Sequence, residues 1–410
     1  MKTKALFLAL SLLACDVPVV RPGETGLGEA WMAAGEPGCP RGLVVSATDQ
    51  VQSANIGLAS ITGQSLSPSI ISSASQKPGL TAALGGDIVF PSMPTVGDEL
   101  VVLDRYPKSV INWVNLRTAQ VRAQLSVATG YVANPHDYVP LTTQKAYVTR
   151  FDPNPIPGRE AFDGGSDILI IDPSIPSMVG RIDLTTSFPP NGSLFVHPDR
   201  ARLIGGRVYA VLPYYDRSFS ASGESYIAVI DPQTDIITER FLIKGASGCV
   251  GLDVTTDESS LAVVCSGSWN GSIKGAGNAS SAIVGLRLAP QLSEIWRVAA
   301  SQLANRAFGF NIAFVDSTHV LTTQLGELGP PLVEDVAYVI DVSNGSATVA
   351  RRSASLSSGP CNAGCGACYI SDAATSTLIN LQFTNPRRYL QTVYSWADPT
   401  GLPPRSIAFF

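Results

Sequence analysis

The apolar residues of this chain come in short β-branched runs rather than in helical stripes. "LVVLD", "ILIID", "IAVID" and "AYVID" are typical, each four apolar side chains closed by an aspartate and followed by a turn-forming stretch. Runs bounded this closely by turn residues read as strands. The segments after the turns, such as "SMVGRIDL" and "DIITERFL", alternate apolar with polar, as a strand with one face in water does. Only residues 288–304 offer helical spacing. Pro290 interrupts that stretch, and "EIWRVAA" within it reads equally well as a strand.

Four segments share one grammar: "DELVVLDRYPKSVINWVNL", "SDILIIDPSIPSMVGRIDL", "ESYIAVIDPQTDIITERFL" and "EDVAYVIDVSNGSATVARR". Their anchoring aspartates are Asp104, Asp172, Asp231 and Asp341, with "VGLRL" (284–288) as a degenerate copy between the last two. The repeat of about 55 to 70 residues is too long for a solenoid turn and suits four strands with a long loop. Another strand pair precedes these, seen as "PHDYVPLTTQKAYVTRFD", "CVGLDVTTDESSLAVVCSG" and "GFNIAFVDSTHVLTTQLG". The expected fold is therefore all-β, a β-propeller of four-stranded blades, with seven as the best count. "PRSIAFF" at the C-terminus resembles an innermost strand with nothing after it, while "RGLVVSATDQ" and "SANIGLASI" look like outer strands lacking one. The C-terminal strand is expected to pair with the N-terminal blade and close the ring, removing a free edge.

Tyr147-Val148-Thr149-Arg150, followed by "DILIIDPSIPSMVGRI", resembles the YVTN-type β-propeller repeat, with Arg150 where that repeat has Asn. "YIAVIDPQTDIITERFLIKG" is the closer copy of its last two strands. The resemblance covers most of residues 41–410 and implies a propeller, without pointing to a particular member of the family.

The N-terminus changes the picture of location. Lys2 and Lys4 precede an apolar run too short to span a bilayer, the layout of an export signal over residues 1–14. Leu12-Leu13-Ala14-Cys15 resembles the bacterial lipobox, which implies acylation of Cys15 and a membrane anchor that does not span. Asp16 resembles the inner-membrane retention signal of enteric bacteria, a rule other lineages do not obey, so the leaflet stays open. Residues 15–40, rich in Pro, Gly and Ala, read as a lipidated tether, and residues 41–410 as the propeller.

With 45% hydrophobic and 15% charged residues, the body should be compact rather than disordered. The net charge of −5 and scattered Lys and Arg exclude a nucleic-acid stripe. With Cys15 lipidated, six cysteines remain, an even number that suggests disulfides in an exported protein. Cys249 and Cys265 lie nearly symmetric about "TTDESS" and should face each other across a hairpin. One of Cys361, Cys365 and Cys368 should clamp Cys39, and the other two should close a small loop. Cys361-x3-Cys365-x2-Cys368 also resembles the iron–sulfur motif of radical S-adenosylmethionine enzymes, but stands near the C-terminus of a strand-rich exported chain. Zinc held by these three and Cys39 is disfavoured by the spacing.

Candidate chemistry is sparse. "NPHDYV" and "FVHPDR" place His136 with Asp137, and His197 with Asp199, just before innermost strands, where propeller loops look into the mouth of the central channel. They offer a metal or proton-transfer site; turn capping by Pro-adjacent His and Asp is the simpler expectation. Asp152, Asn154, Asp163 and Asp167 share one loop whose oxygens would suit calcium, although the alternation of a calcium loop is missing and a solvated loop is simpler. Tyr214, Tyr215 and Phe219 suggest an aromatic binding surface on a second long loop. No Gly-x-Ser-x-Gly or His-Glu-x-x-His occurs. The sequence thus predicts a monomeric, lipid-anchored binding or scaffold protein of the bacterial envelope, with a protein or envelope component as partner and no organic cofactor. The competing class is a periplasmic propeller hydrolase or dehydrogenase with a metal or cofactor at the channel mouth.

Overall fold

The computed structural model describes residues 23–28, 39–95, 97–268, 276–327, 329–385 and 388–410. The export signal, Cys15 and Asp16 lie outside the described residues.

The apolar runs closed by aspartate are strands, and Gly165–Asp172 is buried over nearly its whole length. Lys145–Pro153, which contains "KAYVTRFD", alternates apolar and polar side chains yet is buried over most of its length as well. The alternating segments are the outermost strands: Ile236–Ser247 exposes every second residue along its first half. Seven antiparallel sheets result, each a blade. Their innermost strands are Pro404–Phe409 in blade 1, Ile88–Val89 in blade 2, Pro135–Thr142 in blade 3, Cys249–Val254 in blade 5, Phe308–Phe314 in blade 6 and Leu356–Asn362 in blade 7. In blade 4 the innermost strand is broken into Phe195–Val196 and Ala201–Ile204, and the interruption holds His197 to Arg200.

The ring closes as the sequence predicts. Pro404–Phe409 pairs with Leu43–Thr48, aligning Leu43 with Phe409 and Val45 with Ile407. Beyond it the Phe410 N–H donates to the Gly42 carbonyl at 3.1 Å. A Cβ at Gly42 would lie 2.5 Å from the Phe410 ring, so only glycine lets the last side chain seat against blade 1.

Because neighbouring strands are antiparallel, each blade's first-to-second and third-to-fourth turns lie on one face of the disc. The second-to-third connections and the blade-to-blade crossings lie on the other. The longer connections, 154–164 in blade 3 and 216–221 in blade 4, therefore share the second face, called here the loop face.

Two sequence expectations are corrected and one left open between helix and strand is decided. The run ending at Asp104 is the second strand of blade 2, not the third, because the run–Asp–turn–run grammar describes any hairpin. The third-strand aspartates brace their turns, Asp172 accepting from Ser174 N–H at 2.9 Å and Asp231 from Gln233 N–H at 2.8 Å. Asp104 instead accepts from Gly85 N–H at 2.7 Å and leaves its other oxygen unpartnered. Second, residues 288–304 form the outer strand Ser293–Ala299 and one 3-10 turn, Ala300–Gln302, rather than an α-helix.

Third, within the span read as a tether, residues 24–28 dock in the outer seam between blades 1 and 2. Thr25 N–H donates to Ser69 O at 3.1 Å and Leu27 N–H to Leu116 O at 3.0 Å, while the Leu27 side chain packs on the core between those blades. Glu24 pairs with Lys77 at 3.0 Å. The tether reading rested on composition, which does not register that Glu24, Thr25 and Leu27 have partners waiting.

All three disulfides follow the expected pattern: Cys249–Cys265 across a hairpin, Cys39–Cys365, and Cys361–Cys368 closing the small loop.

Candidate functional site

The innermost strands leave a central channel with a cavity of about 170 Å³. Its lining comes from every blade except the third, since residues 90–94 cross in front of that blade's innermost strand. Among the described residues that line it, Arg200, Arg202 and Asp253 are the charged ones. Each is already held. Arg200 Nη1 donates to the carbonyls of Phe90 and His136, both at 2.9 Å. Arg202 pairs with Asp253, whose other oxygen accepts from Phe314 N–H at 2.8 Å.

The structure brings His136, Asp137, His197 and Asp199 together at the loop-face end of blades 3 and 4. His136 Nδ1 lies 3.2 Å from Asp199 Oδ2, and its ring stacks on Phe151 with centroids 4.0 Å apart. Arg105 Nη1 is 3.5 Å from its Nε2. Burial holds the His136 imidazole below its usual pKa, with Asp199 pulling the other way and Arg105 adding to the depression.

Asp137 is fully buried and turned inward, accepting from Ser92 N–H at 2.8 Å, Tyr138 N–H at 2.9 Å, Ala201 N–H at 2.8 Å and the Ser92 hydroxyl. It ties three segments together. Burial nevertheless pushes its carboxyl above the ordinary range, against those donors.

His197 is fully buried with both ring nitrogens unpartnered; the carbonyls of Tyr215 and Phe151 lie nearby without hydrogen-bonding geometry. Burial pushes it down to about 4. It packs among Phe151, Tyr215 and Phe219, with ring centroids 4.8 to 5.6 Å away. Tyr215 is thus part of a buried aromatic knot, and Phe219 covers it. Tyr214 points to the opposite side of the sheet, and the three do not form one exposed aromatic surface.

The residues read as a calcium loop do not converge. Asp163 accepts from the N–H groups of Gly158, Arg159 and Glu160 at 2.7 to 3.0 Å, Asn154 donates to the Asp163 carbonyl, and Asp167 faces Arg150. Asp152 is half-buried apart from them, and its loss of solvent pushes its carboxyl up to about 6. Among the described residues no three His, Cys, Asp or Glu side chains come together in a metal-holding group. Asn154 and Asp163 are occupied by the loop's own backbone, and Asp167 by the Arg150 side chain.

A second concavity escaped the sequence reading. On the loop face, the crossing from blade 3 to blade 4 (187–194) and the outer strands of blade 4 enclose about 590 Å³. Phe188, Tyr214, Tyr226 and Leu242 are among its lining, with Glu224 and Arg240. The doublet Pro189-Pro190 beside Phe188 was its one local signal; the opposite wall lies about 35 residues further on in sequence, beyond the reach of any local pattern.

Seven closed four-stranded blades define the class, a seven-bladed β-propeller. The chain is similar in fold to a putative 6-phosphogluconolactonase from Bacteroides fragilis, with 14% identity, a TM-score of 0.55 and coverage of 90% of this chain and 97% of that one. It is also similar to a protein from Lactobacillus plantarum (11%, TM-score 0.53, coverage 90% and 99%) and to a functionally unknown protein from Desulfotomaculum acetoxidans (11%, 0.52, 90% and 98%). Identities this low establish the fold alone. No protein-family model matches the sequence, and no curated protein matches it.

Proposed function

We propose that the protein is an exported, lipid-anchored β-propeller of the bacterial envelope that works by binding, with recognition on its loop face. The observation that carries this reading is the channel: among the described residues, each ionisable side chain lining it is engaged by an internal partner. A catalytic funnel needs an acid, base or nucleophile free to meet substrate. Three disulfides support an oxidising compartment. If Cys15 is the anchor, the eight residues from it to Gly23 reach roughly 28 Å at full extension, so the seam between blades 1 and 2 is held close to the lipid.

The second reading is a hydrolase, favoured by the His136–Asp199 pair at the channel mouth. Against it, the imidazole is stacked under Phe151 and has Asp199 on Nδ1 and the Arg105 cation near Nε2.

Elemental analysis of the purified protein and a hydrolysis assay with 6-phosphogluconolactone decide between the two. Stoichiometric metal, or turnover abolished by His136→Ala, would sink the binding reading; neither is expected. For the anchor, a Cys15→Ser variant should leave the membrane fraction for the soluble one, and its retention there would refute acylation.

A further inference from the structure

We infer that the blade 3/blade 4 cleft is a saccharide site that takes a neutral hexopyranose unit of a glycan. The inference rests on the binding reading above and names the ligand class of its loop face. At about 590 Å³ the cleft lies within the usual range of small-ligand sites, roughly 300 to 1,000 Å³.

Its walls are set in advance. Tyr214 donates its hydroxyl to Pro189 O at 3.1 Å, and Arg240 Nη1 donates to Ser187 O at 2.6 Å, so the crossing is pinned to blade 4 at two points. Phe188 packs edge-on against Tyr226 at 5.6 Å, and Tyr226 lies 5.8 Å from Tyr214. Little ordering is left for a ligand to impose.

The lining combines two chemistries. Tyr226 and Leu242 are neighbours across adjacent strands, and Leu242 is 37% exposed, giving an apolar floor open to solvent. Around it stand groups with hydrogen-bonding capacity that no other described residue uses. Glu224 takes Gly245 N–H on Oε1 and keeps Oε2 free, Arg240 uses only Nη1, and the Tyr226 hydroxyl has no partner. Glu224 takes a backbone N–H and Arg240 gives to a backbone carbonyl rather than to each other, so the cleft shows one carboxylate and one guanidinium separately. A ligand with a net charge of either sign would meet one of them unfavourably. A pyranose matches the set: its C–H face covers the floor, and its equatorial hydroxyls can both donate to Glu224 and accept from Arg240.

The test uses the full chain as Cys15→Ser, with maltotriose, cellotriose and N,N′,N″-triacetylchitotriose as probes and decaproline as the contrasting peptide, read by calorimetry and by chemical-shift changes. At least one trisaccharide should bind saturably with Kd of about 1 mM or below, corresponding to about −4 kcal/mol. Tyr226→Ala should weaken it at least tenfold. Glu224→Gln and Tyr226→Phe, which keep the packing, should weaken it several-fold without moving the melting temperature. Absence of saturable binding by all three sugars, indifference to Tyr226→Ala in a folded variant, or occupation by decaproline instead would overturn the saccharide assignment. None of those outcomes yields the metal or the His136-dependent hydrolysis that would overturn the binding reading, so the two failures are separable.

Discussion

Arg150 grips Asp167 with both ends of its guanidinium, Nε donating to Oδ1 at 2.7 Å and Nη2 to Oδ2 at 2.6 Å, and neither side chain is exposed. The remaining donors reach Val127 O at 3.2 Å, Thr129 Oγ1 at 2.9 Å and Phe162 O, so this pair holds the 154–164 loop and the blade 2 to blade 3 crossing to one strand. Removing one partner strands a buried charge, which costs about 3–5 kcal/mol. Arg150→Met or Asp167→Asn should each lower the unfolding free energy by that much, and the double variant by clearly less than the sum. Additive losses in urea melts would mean that the two side chains act independently.

Ring closure makes the last residues disproportionately important. Without residues 405–410, Leu43–Thr48 loses its partner strand and blades 1 and 7 lose shared core around Leu43, Tyr369 and Phe409. Loss of a cooperative thermal transition and cleavage by protease throughout the body are expected. Phe410→Ala is the graded version, predicted to cost about 3–4 kcal/mol because the ring is nearly fully buried.

The disulfides should differ in worth. Cys39 and Cys365 are 326 residues apart, against 16 for Cys249–Cys265 and 7 for Cys361–Cys368. Chain-entropy scaling assigns about 6, 3 and 2 kcal/mol respectively. Paired Cys→Ser variants compared by chemical denaturation should follow that order.

Burial shifts acids and bases in directions that oppose one another with pH. Asp104 and Asp152 stand at about 6 in the folded protein, so the stability they allow is full below about 4 and is lost as pH rises through 6. His197, at about 4, and His136 are depressed, so their contribution is full above about 6.5 and is lost as pH falls toward 4. Between pH 4 and 6.5 the slopes partly cancel, and the wild-type melting temperature should vary little. His197→Leu should remove an acid-side loss, leaving a protein that gains stability on acidification. Asp104→Asn should stabilise by about 1–2 kcal/mol at pH 7 and by nothing at pH 4.

What could be read from the sequence was whatever a local pattern encodes. Apolar runs closed by aspartate, the alternating runs after their turns and the Cys249/Cys265 symmetry each depend on neighbours within one hairpin. Misplacing Asp104 had the same origin, since every hairpin of this fold repeats the grammar. Asp167 looked like a loop oxygen because its partner was the Arg150 that departs from the repeat signature, 17 residues earlier. His136 and His197, each with an acid beside it, were legible as a constellation because the blade repeat places the two histidines at corresponding positions. The cleft was not, because its walls, the 187–194 crossing and the outer strands of blade 4, meet only when the crossing folds back onto that blade.

Joining the last strand to the first blade also sets an order of events in synthesis. While the chain is being made, Leu43–Thr48 presents an unpaired inner edge, and it keeps that edge until residues 404–409 emerge some 360 positions later. The same delay applies to Cys39, whose partner arrives almost as late. Nascent chains of this length expose sticky strand edges throughout. A ribosome stalled anywhere before the final turn would therefore leave an open, aggregation-prone arc, so early termination should cost the cell more than one lost molecule.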